Sequence, residues 1–70
     1  MVKMKELAYN LKIIRKEKGE TQLSLAEKVG VSSTFIANIE QGRRKPSMEI
    51  IEKIVAVLNI KAKELFEEVK

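Results

Sequence analysis

A chain of 70 residues is long enough for one domain and not for two, since so small a core buries only about 60% of the surface the unfolded chain exposes. It contains no Cys, His or Asp. Disulfides, His- or Cys-ligated metal sites, and Ser-His-Asp or Cys-His catalysis are therefore excluded by inventory, and no catalytic residue, cofactor or small-molecule ligand is expected. The formal net charge of +4, from 14 Lys and Arg against 10 acids, suits a nucleic-acid partner without requiring one.

With 44% apolar and 34% charged residues, 3 Gly and 1 Pro, the composition is that of a folded helical domain, and regular helix packing must hold it together. The longest apolar run, Ile54 to Leu58, is far too short to span a bilayer, and Met1 to Lys5 is not followed by a signal-peptide core. These features lead us to expect a cytoplasmic protein with no membrane partner.

The first helix is predicted between Lys5 and Lys18, where Leu7, Leu11 and Ile14 recur at helical spacing and Gly19 follows as a C-terminal cap. Thr21 is placed to cap a second, two-turn helix with Leu25 and Val29 inward, closed by Gly30. Ser32 caps a third helix that runs to about Gln41 and ends at Gly42. The stretch from Gln41 to Pro46 is too polar and too rich in breakers to be helical. Ser47 then caps a fourth helix with Ile51, Ile54, Val55 and Leu58 inward, and Asn59 ends it in a left-handed conformation. A last helix is predicted from Lys61 to about Val69, with Leu65 and Phe66 packed against the rest.

The segment 21–42 carries the function. Ala26 is small where two helices must approach, Gly30 permits a tight turn, and Val31 fills the corner. On the third helix Ile36 and Ile39 point inward, while Ser33, Thr34, Ala37, Asn38 and Gln41 share the opposite side. That outward face is short, polar and uncharged, as a helix entering the DNA major groove needs to be.

These residues resemble the phage repressor and Cro-like helix-turn-helix family, also called the xenobiotic-response-element family. The likeness is carried by Leu11, Ile14-Arg15, Gly19, Thr21-Gln22, Leu25-Ala26, Val29 to Ser32, Ile36, Ile39-Glu40, Gly42 and Pro46-Ser47, and covers nearly the whole chain. It implies an all-α, lambda-repressor-like bundle of five short helices. Helix two would lie across the DNA backbone and helix three in the groove.

By position, the resemblance implies that Ser33, Thr34 and Asn38 read bases, with Asn38 suited to adenine. Gln22 and the loop residues Arg43, Arg44 and Lys45 would hold the sugar-phosphate backbone, with Ser32 sharing a phosphate or serving only as the cap. Arg15 and Glu40 would form a structural ion pair. The implied protein is a transcriptional regulator acting as a homodimer on a double-stranded operator. An adaptor or antitoxin-like protein with the same fold is the alternative.

Two positions depart from the family pattern. Glu20 replaces a common apolar residue, which predicts a more exposed turn before helix two, and Lys61 stands where helix five often has a small polar cap. Hydroxyls at Ser32, Ser33 and Thr34 also suit a plain helix start. Phe35 is read as packing. Ile13, Ile50 and Val57 are either peripheral core or a dimer edge, and Ile60, Leu65 and Phe66 are expected to be shared between core and interface.

Overall fold

A computed structural model describes residues 4–68. Five helices follow one another: α1 (Met4–Glu17), α2 (Gln22–Val29), α3 (Ser33–Glu40), α4 (Met48–Leu58) and α5 (Ala62–Leu65). Each boundary has a local cause. The Thr21 hydroxyl accepts the Ser24 backbone N–H, and the Ser24 hydroxyl accepts the Thr21 N–H, both at 2.9 Å. Two of the helix's unpaired donors are thereby satisfied by one reciprocal cap. Ser32 and Ser47 cap α3 and α4 by accepting the N–H groups of Phe35 and Ile50 at 3.0 and 3.2 Å.

The turn between α2 and α3 is only three residues long because Gly30 adopts φ +92°, a conformation that strains any side chain. Asn59 ends α4 in the left-handed region at φ 57°, as the sequence predicts.

All five helices contribute to one core. Leu7 and Leu11 from α1, Leu25, Ala26 and Val29 from α2, Ile36 and Ile39 from α3, Ile51, Ile54 and Leu58 from α4, and Leu65 from α5 are all buried. Ile14, Val31, Phe35, Val55 and Ile60 pack around its edge, so Ile14 and Val55 are less central than their spacing suggests.

Two expectations are corrected. The last helix is four residues long, and beyond its end the Asn10 amide holds the chain against α1 by donating to the carbonyl oxygens of Leu65 at 3.0 Å and Glu67 at 2.8 Å. Its predicted end at Val69 lies outside the described residues. Leu65 is fully buried within the chain and offers nothing to an interface; Ile60 and Phe66 remain half-buried, and Ile13 is 38% exposed. The turn before α2 is exposed at Lys18, Gly19 and Thr21, while Glu20 itself is half-buried. Its carboxylate accepts from Ser24 Oγ and Lys28 Nζ, each at 2.6 Å, which folds the side chain back over α2. Lys61, the other departure, leaves α5 without a side-chain cap; its backbone N–H donates instead to the Glu64 carboxylate at 2.8 Å.

Candidate nucleic-acid interface

Arg15 fixes the frame of the site. Its guanidinium donates to both Glu40 oxygens, Nε to Oε2 at 2.6 Å and Nη2 to Oε1 at 3.1 Å, and Nη1 donates to the Glu20 carbonyl at 2.8 Å. The two side chains are only 7% and 3% exposed. A forked guanidinium is the cation best matched to so dry a carboxylate. The Gln22 amide donates to Oε1 as well, at 3.1 Å, so a single carboxylate ties together α1, the first turn of α2 and the last residue of α3. The sequence reading assigned the Gln22 side chain outward to phosphate; here it turns in to Glu40. What the N-terminus of α2 presents to an anion is then its backbone.

The outward face of α3 is assembled as its periodicity implies. Thr34 is exposed, Ser33, Ala37 and Asn38 are half-buried, and Gln41 is exposed. Ser32 is exposed and its oxygen is used by the cap of α3, whereas the side chains of Ser33, Thr34 and Asn38 make no hydrogen bond among the described residues. Their donors and acceptors are presented to solvent from a helix whose reverse side, Ile36 and Ile39, is fully buried.

The loop after α3 is tightly wound onto the helix end. The Gly42 N–H donates to the Ile39 carbonyl at 3.0 Å, and Gly42, at φ +76°, turns the chain back so that the N–H groups of Arg43 and Arg44 share the Asn38 carbonyl at 2.9 and 3.2 Å. This is the left-handed glycine closure of a helix. It brings Arg43, Arg44 and Lys45, all exposed, directly beside the polar face. Pro46 is buried and returns the chain to α4. The Arg44 guanidinium lies over the Phe35 ring, 5.3 Å from its centroid, a contact that sequence reading missed because nothing local links a helix-start aromatic to a loop nine residues on. Phe35 thus packs on the core with one side and carries an arginine on the other.

Among the described residues, no group of acids could hold a metal ion, and no helix is long and apolar enough to cross a membrane.

The family profile described as helix-turn-helix matches residues 11–65. The chain belongs to the helix-turn-helix family of the phage repressor and Cro type. Among its relatives, the transcriptional regulator SinR of Bacillus subtilis is 36% identical over 63 residues, covering 89% of this chain and 57% of SinR. The immunity repressor protein of Bacillus phage phi105 is 42% identical over 50 residues, 71% of this chain and 35% of the repressor. The chain therefore spans about half or less of the length of these helix-turn-helix relatives. A crystal structure of SinR in complex with DNA superposes with a TM-score of 0.81 at 35% identity, covering 87% of this chain and 98% of that one. The helix-turn-helix itself is α2, the Gly30 turn and α3.

Proposed function

We propose that this chain is a sequence-specific, double-stranded-DNA-binding transcriptional regulator, repressor-like and cytoplasmic, that reads the major groove with α3. The observation that carries the reading is the solvent-facing set Ser33, Thr34 and Asn38, with free side-chain donors and acceptors, beside three exposed cations in a loop pinned to the same helix. An adaptor surface needs neither. The SinR structure with DNA supports the same reading through the likeness of fold.

In this reading Ser33, Thr34 and Asn38 contact base edges, Asn38 by a bidentate amide bond to adenine. Arg43, Arg44 and Lys45 neutralise phosphates and set register. The N-terminus of α2, at Gln22, and that of α3, at Ser32, offer backbone N–H groups to the strand. Two copies would bind a two-fold operator, one α3 in each half-site, with Ile13, Ile50, Val57, Ile60 and Phe66 among the apolar side chains open enough to take part in the contact between them.

Selection of bound sequences from random duplex DNA tests this. A consensus of two inverted half-sites is expected, and equal retention of all sequences would overturn base reading. Sedimentation of one protein per palindrome would overturn the homodimer.

A further inference from the structure

The base-reading face and its loop leave a second basic feature unused. On α1, Lys5, Tyr9, Lys12 and Lys16 are exposed and recur at steps of four, three and four residues, which aligns them on one side of the helix. Glu6 and Glu17 lie about 100° round from that stripe at 3.6 residues per turn. Lys5, Ala8, Tyr9 and Lys12 form one wall of an open groove of about 480 Å³, and Glu40, Gln41 and Gly42 form the other. Glu40 brings no free charge to it, since its carboxylate is 3% exposed and already accepts from Arg15 and Gln22. The groove is therefore cationic.

Its position is as telling as its charge. Gln41 belongs both to the groove and to the outward face of α3, and Gly42 leads directly into Arg43. The groove thus opens at the margin of the surface already assigned to DNA.

We propose that this groove takes a phosphate of the DNA backbone outside the base pairs read by α3, with Lys5 and Lys12 as its counter-charges and the Tyr9 hydroxyl as a donor. The proposal rests on the DNA-binding reading above. Lysines fit the role because a compact ammonium on a flexible stem can follow a backbone without demanding fixed geometry. A continuous polyanion fits better than a small free anion, because Lys16 prolongs the stripe beyond the groove and Arg43 directly follows Gly42 of its second wall. Helix α1 then acts as a second clamp, adding affinity and no base preference.

The test uses the full chain and its own selected duplex, with affinity measured across a range of salt. Lys5→Gln/Lys12→Gln should flatten the slope of log K against log [salt] by about 0.9, the change for the one phosphate the groove holds, with equal proportional loss on the selected site and on its single-base variants. Lys5→Arg/Lys12→Arg should keep the parent slope. Lys53→Gln/Lys63→Gln removes the same charge from exposed positions on α4 and α5 and should flatten the slope much less. An unchanged slope in the first variant, or an equal change in the Lys53/Lys63 variant, overturns the proposal while the DNA reading stands. Failure of the parent chain to select any sequence overturns that reading, and this inference with it.

Discussion

Arg15 and Glu40 meet through two hydrogen bonds of 2.6 and 3.1 Å with both side chains almost wholly withdrawn from water. Removing one partner of such a pair strands the other charge in a dry site, which costs about 3 kcal/mol or more. Glu40→Ala should lose about that much stability, and Arg15→Ala a similar amount. The double variant should lose less than the sum. A thermal-unfolding cycle with additive losses would contradict coupling between them.

Asn38→Ala separates stability from recognition. The loop is anchored by the backbone carbonyl of Asn38, which Ala retains, so stability should stay within about 0.5 kcal/mol of the parent. Affinity for the preferred operator should fall by about 1–3 kcal/mol, with discrimination narrowed at one base pair per half-site. An equal loss on every sequence would make Asn38 a backbone contact.

Arg43→Ala/Arg44→Ala should weaken binding to all duplexes alike and flatten the salt slope by about 0.9 for each phosphate lost. Phe35→Leu should reproduce a part of this, because it removes the ring that holds Arg44 while leaving an apolar side chain against the core. An unchanged slope in the double variant takes the loop out of the interface.

Hydrogen bonds from Lys28 first, and from Ser24 second, hold the Glu20 carboxyl below its ordinary value against a smaller opposing effect of burial. A carboxyl with a depressed folded pKa stabilises the fold above its ordinary range, and that contribution disappears as pH falls through the lowered value. Below about pH 4.3, the ordinary glutamate value, the parent should therefore lose stability more steeply than Glu20→Gln. Parallel thermal-midpoint curves for the two proteins in that window would refute the linkage.

Helix boundaries that depend on neighbours in sequence were legible there. Thr21, Ser32 and Ser47 start helices because a hydroxyl reaches an amide three residues on, and Gly30 and Gly42 stop them because their own backbone can turn left-handed. The end of α5 was not legible, because Phe66-Glu67-Glu68 is a helix-compatible string, and the amide that holds this end of the chain lies 55 residues away from Leu65 in sequence. The partner of Glu20 was hidden for a similar reason: Lys28 lies eight residues along, across the whole length of α2. At the site, periodicity sufficed to place the polar face of α3. The inward turn of Gln22 depends on how α2 crosses α3, and only the folded arrangement puts Glu40 within its reach.

The clasp made by Asn10 also sets an order of opening. A four-residue helix cannot persist alone, so α5 exists only while its single buried anchor, Leu65, and the two carbonyls held by α1 stay in place. Closing a loop that long carries an entropic cost that the interior contacts of α2 and α3 do not share. The C-terminal segment should thus behave as a separately exchanging unit, its amides yielding to deuterium before those of Leu25 and Ile36, and Asn10→Ala should widen that gap while leaving the helix-turn-helix protected.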